Sequence, residues 1–487
     1  MKALLNKYAD LSNWKILFIT ALIIRAVVFA FVIFLSNHLH NVILQPDDSS
    51  YFSAIDNYFN GGCFCYSGTH IFAGRMPGYS IIYFLLRYVL SPNAATLFII
   101  FSQFILSCIT AYVLCLLSYK LFQNKKAAVL TFLIYCIGIF PGIFDFWITG
   151  ESFSISALII AIYLLYCAFE GQRLFNRNIF LSGLLIAWVI FLRPYVGMFI
   201  VVFPCFILSF MYFTKKEKVK RILFTLVLFC SSFVIAETAW VGRNYLVLHR
   251  FIPLEDDIQN SYGKLYSHAW MKIDRMIFDW GEDAAFFDKG TLGNYFRIDS
   301  TWREYDFPPH LFNKVTAYNR DSLIALKKMY MRYYYSRDTT GDYLLENKII
   351  NVAEKYDKDY VEHNKFHYFI NKPIRSLKTL IVAGGWQYIP YKMDGHKVTV
   401  RSSLKILSTL LYFSVIFLGI FGLLYCIKMK LNLPYVLLLA ALSLSVIISL
   451  VYYTATEEPR YFVHVFIILI LFAPLPVSKA ISGIRKK

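Results

Sequence analysis

The chain has little charge for its size. Only 16% of its 487 residues are Asp, Glu, Lys or Arg, and 58% are hydrophobic, whereas a soluble domain carries about a quarter charged residues. This excludes an ordinary soluble domain and makes lipid the main solvent of the chain. The formal charge of +18 suggests a nucleic-acid partner. The basic residues, however, fall between apolar runs rather than on one patch, so we predict no nucleic-acid partner.

The sequence also lacks the short motifs of metal and nucleotide sites. It has no HExxH, no Cys/His spacing for zinc, no EF-hand loop, no Walker A motif and no GxGxxG. We therefore predict no cofactor, although the acidic pair Asp47 and Asp48 leaves a divalent cation open as an alternative. His70, His249 and His464 are isolated, and such residues are more often polar contacts than ligands.

Cysteine provides no disulfide framework. Two of the nine cysteines, Cys63 and Cys65, are too close in sequence for an ordinary unstrained bridge, so we assign them no role. The others lie inside apolar segments, where Cys acts as a small hydrophobe: Cys108, Cys115, Cys136, Cys167, Cys205, Cys230 and Cys426.

Ten apolar runs are the main feature of the sequence. A helix needs about 20 apolar residues to cross a bilayer. Runs of that kind lie near 14–35, 96–119, 127–147, 151–169, 179–192, 195–213, 222–241, 404–427, 432–453 and 461–478. The first run lacks a small-residue cleavage site, so we predict that it is retained. The fifth is short and ends at Arg193-Pro194, which predicts an irregular outer end. The run from Tyr79 to Leu90 carries Arg87 and predicts an interfacial helix.

Lysine and arginine in the short connections orient these spans. One set of connections holds most of them: Lys2, Lys7, Lys120, Lys125, Lys126, Arg173, Arg177, the run 215–221, Lys428, Lys430, Lys479, Arg485, Lys486 and Lys487. The opposite short loops hold only Arg75, Arg87, Arg193 and Arg460. Ten spans therefore alternate without conflict, with both termini in the cytoplasm. The sequence predicts an all-α polytopic membrane protein of about ten transmembrane helices.

The spans divide the chain into three parts. Residues 1–241 are predicted to form an N-terminal transmembrane module, whose first outer loop covers 36–95 and carries the candidate catalytic residues. Residues 242–400 form a large extracytoplasmic domain, and residues 401–487 form a C-terminal transmembrane module. Two stretches of the outer domain have a helical pattern: 313–337 and 342–371.

An acidic pair opens the first outer loop. Paired carboxylates suit general-base catalysis, because like charges close together raise the pKa of one of them. Asp47 would take a proton from an acceptor hydroxyl, while Asp48 orients it or holds the loop. The alternative is that one of these residues caps the helix that follows.

Four arginines belong to the same outer face: Arg75, Arg193, Arg243 and Arg460. The planar fork of arginine suits a phosphate, and in surroundings of low dielectric such a ring stabilises phosphate as a leaving group. For Arg75 the alternative is a snorkelling interfacial side chain. Four arginines among so few charges in the outer loops predict an anion site.

Three further side chains complete the candidate site. Glu151, across a tight turn from Asp145, would bind a sugar hydroxyl or a cationic acceptor. Its alternative role is to stabilise the first turn of a helix. Asn244 lies where the chain leaves the membrane, and Tyr461 lies where it re-enters.

Seven motifs follow one another along roughly 1–250 and 370–480: PDDSSYF, GG, RMPGYSIIYF, TGES, LRPYVG, WVGRN…FIPL and EPRYF. In their order and their shared side of the membrane they resemble the GT-C superfamily of polytopic glycosyltransferases, in the branch of the protein O-mannosyltransferases and lipid A aminoarabinose transferases. The resemblance implies metal-independent, inverting transfer of a sugar from a polyprenyl phosphate to a protein, lipid or glycan acceptor at the membrane surface. By position Asp47 would be the base and Asp48 the second acidic residue, where many relatives have Glu.

Three other functions are compared with this one. A flippase for lipid-linked saccharides would share the arginines, but it should place ionisable groups near the bilayer midplane and show inverted repeats, and we identify neither. A polymerase or ligase of lipid-linked saccharides would carry its polar residues mainly in the large outer loop. A purely structural membrane protein would not need so many outer arginines.

Overall fold

The structure, a computed structural model, describes residues 13–36, 48–65, 73–171, 175–254, 267–280, 295–296, 307, 309–312, 314–336, 339–387, 400–453 and 458–478. Every regular element within these ranges is a helix. Nine helices in them are long and apolar enough to cross a membrane, and a helix pair bent by 56°, Lys125–Ile137 with Ile139–Asp145, brings the number to ten if it is counted as one span. The chain is thus an all-α polytopic membrane protein, which confirms the predicted fold class.

The principal helices, in chain order, are α1 (Trp14–Ser36), α2 (Asp48–Gly61), α3 (Pro77–Arg87), α4 (Pro92–Phe122), α5 (Lys125–Ile137), α6 (Glu151–Glu170), α7 (Phe175–Leu192), α8 (Phe199–Ser209), α9 (Val219–Leu248), α10 (His268–Asp279), α11 (Arg320–Tyr335), α12 (Thr339–His363), α13 (Lys372–Gln387), α14 (Val400–Lys428), α15 (Leu433–Ile448) and α16 (Val463–Phe472). Short 3₁₀ and π turns join or extend several of them, including Ile143–Asp145, Pro194–Val196, Phe210–Thr214, His367–Asn371, Ser449–Tyr453 and Pro459–Phe462. Polar side chains cap some helix starts: Oδ1 of Asn124, for example, accepts at 3.1 Å from the backbone N–H groups of Lys126 and Ala127, the second and third residues of α5.

The third span is broken near its outer end. α5 ends at Ile137, and the next residue, Gly138, has an extended backbone. The helical segment that follows contains Pro141, and its axis makes an angle of 56° with that of α5. Proline lacks a backbone N–H and its ring crowds the preceding turn, so helices commonly bend at such a place. Beyond this bend, Asp145 lies 3.6 Å from the guanidinium of Arg25.

Arg25 lies at the middle of α1 and is fully buried. Its guanidinium donates to Ser107 Oγ at 3.1 Å and pairs with Asp145, whose other oxygen accepts from Ser152 at 2.7 Å. The expectation of no ionisable group near the midplane is therefore wrong. Asp145 also accepts from Ser152, the residue after Glu151, so it lies next to the turn that leads into Glu151, and its buried charge is paired inside the protein as a membrane interior requires.

The helices of the first outer loop pack on the outer ends of α4 and α7. α3 occupies the stretch predicted as an interfacial helix and is amphipathic: Tyr79 and Tyr83 are buried, whereas Ile81 and Leu85 are exposed. Gly78 allows the close approach, because a Cβ at that position would collide with the backbone at the end of α7. The segment before α3 is thereby held against the membrane-spanning helices.

Cys63 and Cys65 form a disulfide, with their Cα atoms 5.3 Å apart. The expectation that they have no role is wrong. Asn57 of α2 donates to the carbonyl of Cys65 at 2.7 Å, which folds this segment back towards the helix. A disulfide fits the predicted placement of the first loop on the oxidising, outer side of the membrane.

The large outer segment has a hydrophobic core of its own, built from α10, α11 and α12. Its fully buried members include Trp270, Ile277, Leu326, Tyr330 and Ile349. α11 and α12 form most of the two stretches predicted to be helical, but α11 begins only at Arg320, so 314–319 are not helical, and the second stretch ends in the π turn His367–Asn371. α13 then leads back to the membrane region and packs on α14 and on the turn Pro459–Phe462.

Candidate active site

Side chains from five separate segments meet at one end of the membrane region, the end that the sequence predicts to be its outer face. They come from α2, from the segment before α3, from the start of α6, from the end of α7 and from the turn before α16. We call this group the arginine site, and its members are Tyr51, Arg75, Glu151, Arg193, Arg460 and Tyr461.

A buried ion pair forms the centre of the site. Arg193 Nη2 donates to Glu151 Oε2, and both side chains are almost completely buried. Arg460 Nε lies 3.8 Å from the other oxygen of Glu151 and 3.8 Å from Glu458. Glu151 therefore interacts with two guanidinium groups, those of Arg193 and Arg460, which are far apart in the sequence.

Local sequence explains where the two partners stand. Glu151 is the first residue of α6, where the helix dipole favours a carboxylate. Arg193 directly follows α7 and precedes Pro194, and its backbone is extended, with φ −146° and ψ 90°. Proline drives the residue before it out of the helical conformation. The predicted irregular end of the fifth span is thus confirmed, and it carries Arg193 out of the helix.

Tyr51 lies between two of the arginines. The ring of Tyr51 faces the guanidinium carbon of Arg75 at 5.3 Å and that of Arg193 at 6.0 Å. The residue is 3% exposed, and its hydroxyl has no hydrogen-bond partner within the described part of the chain. Sequence reasoning missed Tyr51, although it stands one helical turn after Asp48 in the same motif.

A hydrogen-bonded chain of three side chains supports the site from the membrane interior. The ring of His464 joins the hydroxyl of Tyr195, at 2.9 Å from Nδ1, to that of Ser154, at 2.7 Å from Nε2. The ring of Tyr195 packs on that of Tyr461, with the centroids 4.4 Å apart. His464 is therefore a polar contact, and the described ranges contain no group of three or more His, Cys, Asp or Glu side chains that could hold a metal.

The predicted catalytic pair is only partly described. Asp47 lies outside the described residues. Asp48 is the first residue of α2, and its side chain also lies outside the description. Its backbone is one turn from Tyr51, on the same side of the helix. The roles of both acids, as base or as helix cap, remain predictions.

Arg243 and Asn244 belong to a neighbouring group. Both lie within α9, which continues to Leu248, rather than in a loop. The guanidinium of Arg243 lies 5.2 Å from the ring centroids of Phe64 and Trp240 and donates to Asn244 Oδ1 at 2.8 Å. The structure thus brings together three of the four arginines, and it places the fourth with aromatic side chains.

The arginine site has the donors that an oxyanion needs. Guanidinium groups and a phenolic hydroxyl are hydrogen-bond donors, and charge-assisted bonds to an anion are the strongest of this kind. Burial strengthens them, because the surroundings have a low dielectric. Glu151 holds the guanidinium of Arg193 in one orientation, so little reorganisation is needed when an anion binds.

Comparison with known proteins yields two similar solved structures. No family model and no curated protein matches the chain. The two structures are crystal structures of ArnT from Cupriavidus metallidurans, one bound to undecaprenyl phosphate and one in the apo state. Each is 12% identical to this chain and covers 97% of it and 79% of its own length, with TM-scores of 0.35 and 0.33. At these scores the likeness carries no argument, so the function must be inferred from the chain's own residues.

Proposed function

We propose that the chain is a membrane glycosyltransferase of the GT-C type. It transfers a sugar from a polyprenyl-phosphate donor to an acceptor at the extracytoplasmic face of a bacterial inner membrane. One observation carries the proposal: Arg75, Arg193 and Arg460 converge at the outer face beside the helix that begins at the acidic pair.

The arginine site is the proposed site of the donor phosphate. Arg193 and Arg460 share Glu151, and the face of Tyr51 lies against Arg75 and Arg193. A phosphate oxygen placed there would receive hydrogen bonds from guanidinium groups and from the hydroxyl of Tyr51, which has no partner among the described residues. A lipid-linked phosphate suits a site at this depth, because its polyprenyl chain stays in the bilayer.

We propose an inverting displacement at the anomeric carbon. The bond between the anomeric carbon and the phosphate oxygen breaks, and a bond from the acceptor oxygen to that carbon forms on the opposite face. The acceptor proton goes to Asp47, with Asp48 as the second acidic residue, and polyprenyl phosphate leaves with the bonding electron pair. The transition state is oxocarbenium-like, as in glycoside hydrolysis. The arginines neutralise the leaving phosphate, so the proposed mechanism assigns no role to a metal ion.

The test uses the purified full chain in lipid nanodiscs with a panel of radiolabelled polyprenyl-phosphate sugars. We expect one donor to be consumed, and Asp47→Asn and Arg460→Gln to lose transfer while protein level and membrane insertion persist. Arg221→Gln is the matched control, because Arg221 is exposed and pairs with Glu217 at the predicted cytoplasmic end of α9. Near-normal turnover by Asp47→Asn would overturn the assignment of the base. Consumption of no donor would overturn the function.

A flippase of lipid-linked saccharides is the second candidate, because Arg25 supplies a charge near the midplane. Arg25 is fully buried and held by Asp145 and Ser107, so its position is explained by packing within the protein. The two functions differ in product. Movement of intact donor across liposome membranes without release of its sugar would favour the flippase.

A further inference from the structure

A cleft of about 530 Å³ lies in the outer domain, away from the arginine site. We call it the outer cleft. It is formed by α10, α12 and the π turn His367–Asn371, and the lining residues that matter here are Arg275, Asp279, Asp357, Glu362, Tyr368 and Phe369. Its volume is within the range of small-molecule sites, and it is large enough for a short oligosaccharide.

Two carboxyl groups share the floor of the cleft. Lys372 donates to Asp279, and its ammonium lies 4.5 Å from the ring centroids of Phe278 and Tyr368. Burial, and then the nearby carboxylate of Asp279, raise the pKa of Asp357 to about 8. Asp357 is therefore mainly protonated at neutral pH. A protonated carboxyl can both donate and accept a hydrogen bond, as a sugar hydroxyl can.

One atom of this pair lacks a partner. Asp357 Oδ1 is buried and makes no hydrogen bond within the described part of the chain. A buried polar atom without a partner costs roughly 1–3 kcal/mol. A ligand hydroxyl in the cleft would supply the missing bond.

An aromatic edge stands beside these polar groups. Phe369 is 54% exposed, and Tyr368 precedes it in the same turn. Sugars present apolar C–H faces as well as hydroxyls, so they pack on exposed rings while their hydroxyls bond to carboxyl groups. The lining carries both signs of charge, including Arg275 and Glu362. This mixture suits a polyhydroxylated ligand better than a simple ion.

The cleft is connected to the arginine site through one turn. Arg275 Nη2 donates to the carbonyl of Tyr452 at 3.4 Å, and the hydroxyl of Tyr452 donates to the carbonyl of Phe369 at 3.3 Å. Tyr452 belongs to the turn Ser449–Tyr453, which packs on the turn Pro194–Val196 directly after Arg193. An acceptor held in the cleft could thus extend towards the proposed donor phosphate.

We propose that the outer cleft binds the saccharide portion of the acceptor, so that the acceptor class is a glycan or a glycolipid. That the bound saccharide belongs to an acceptor rests on the proposed function, but binding of a saccharide can be measured without transfer. Asp279 and Asp357 bind the hydroxyls, and Phe369 packs on a sugar face.

The experiment measures binding of soluble oligosaccharides to the full chain in nanodiscs of zwitterionic lipid. The probes are chitotetraose, maltotetraose and tetragalacturonate, and the methods are saturation-transfer NMR and calorimetry. We expect at least one probe to bind, and Phe369→Ala to weaken it tenfold or more. Asp357→Leu should have the same effect. Phe369→Ala changes a half-exposed side chain, so its result stays interpretable if Asp357→Leu misfolds.

Controls separate this proposal from the proposed function. Tyr343→Ala removes an exposed ring elsewhere on α12 and should leave saccharide binding unchanged. Arg460→Gln should keep saccharide binding and lose donor turnover. If the wild-type chain binds a saccharide but consumes no donor, the proposed function is wrong, and the proposal that the outer cleft binds a saccharide is upheld.

Three outcomes would overturn the cleft proposal. The first is that no probe binds. The second is that Phe369→Ala transfers sugar to a glycan with unchanged KM, in which case the function stands and the cleft fails. The third is that affinity follows the anionic lipid content of the nanodisc rather than the saccharide, which would make the cleft a headgroup site.

Discussion

Glu151 and Arg193 form an ion pair across 42 residues, with neither side chain more than 3% exposed. Each partner stands at the end of its own helix, Glu151 at the first residue of α6 and Arg193 just past the last residue of α7. The pair therefore fixes the relative position of two helix ends at the outer membrane face. Arg460 approaches the same carboxylate from a turn more than 260 residues later in the chain, so the pair also anchors the C-terminal helices.

Breaking this pair from one side should destabilise the protein. Glu151→Gln leaves the buried guanidinium of Arg193 without its carboxylate, which costs about 3–5 kcal/mol in comparable buried pairs. We expect a lower melting temperature, measured by fluorescence-detected size exclusion after heating, and loss of sugar transfer. The double variant Glu151→Gln/Arg193→Gln should recover part of the stability and none of the transfer. A single variant that melts like the wild type would contradict the pair's structural role.

Tyr51→Phe should separate activity from stability. The hydroxyl has no partner in the described structure, so its removal should leave the melting temperature unchanged or slightly raised. A hydrogen bond to a charged phosphate is worth about 1.5–3 kcal/mol, so transfer should fall by about tenfold to hundredfold. Turnover with the labelled donor measures this change.

Tyr79→Phe is the matched control for that variant. The ring of Tyr79 lies 4.9 Å from that of Tyr51, but its hydroxyl already donates to Gln103 at 2.7 Å. We expect lower stability and unchanged turnover per folded molecule, the opposite of Tyr51→Phe. Equal effects of the two variants would remove the argument for a ligand at Tyr51.

Gly150→Ala tests the packing behind Arg193. A Cβ at Gly150 would lie 2.9 Å from the carbonyl oxygen of Leu192 and 3.2 Å from Nε of Arg193. We expect the end of α7 to shift, with reduced donor turnover and reduced thermal stability. Gly242→Ala is the control, because a Cβ there meets nothing within 4 Å and alanine favours the helix by about 1 kcal/mol. It should be neutral or stabilising in the same melting assay.

The stability of the outer domain should fall as pH rises towards and through 8. Burial and Asp279 raise the pKa of Asp357 to about 8, so the folded domain holds a proton that the unfolded chain releases above its ordinary carboxyl pKa. A group whose pKa is higher in the folded protein stabilises the fold fully at pH values below its pKa in the unfolded chain. This contribution to the free energy of unfolding is lost as the pH rises through its pKa in the folded protein. Burial lowers the pKa of Lys372, and this shift makes the stability of the domain rise with pH at higher pH values, opposite to the effect of Asp357.

Asp357→Asn isolates the contribution of this carboxyl group. The amide imitates the protonated form, so the variant should gain stability relative to the wild type at pH 9 and little at pH 5. Hydrogen exchange of the backbone amides of α12 at several pH values measures the difference. A variant and wild type with parallel pH dependence would show that Asp357 is ionised in the folded domain at neutral pH.

Local sequence features predicted most of the helices. Apolar runs and the placement of lysine and arginine are properties of short segments, and the lipid solvent makes them decisive, because an unpaired backbone cannot cross it. The nine spans and the bent tenth follow the predicted runs to within a few residues. The extended Arg193 before Pro194 is equally local, because proline restricts its neighbour by direct contact.

Tertiary packing decided which side chains meet. No local pattern could assign Arg25 to Asp145, separated by 120 residues, and Arg25 was overlooked because a single charge hardly changes the hydropathy of a long run. No local pattern could separate Arg243 from the other arginines either. It lies at a similar place relative to the spans, but its neighbours in the structure are Phe64 and Trp240.

The sequence by itself therefore determined the class of protein and the spans, and it predicts the outer face to which the acids and arginines belong, because each depends on segments of about 20 residues and on a solvent boundary. Only the tertiary structure decided that Glu151 joins Arg193 and Arg460, that Tyr51 lies between two guanidiniums, and that the outer domain contains a cleft. These contacts join residues far apart in the chain. Their energy comes from burial and pairing that exist only once the helices have packed.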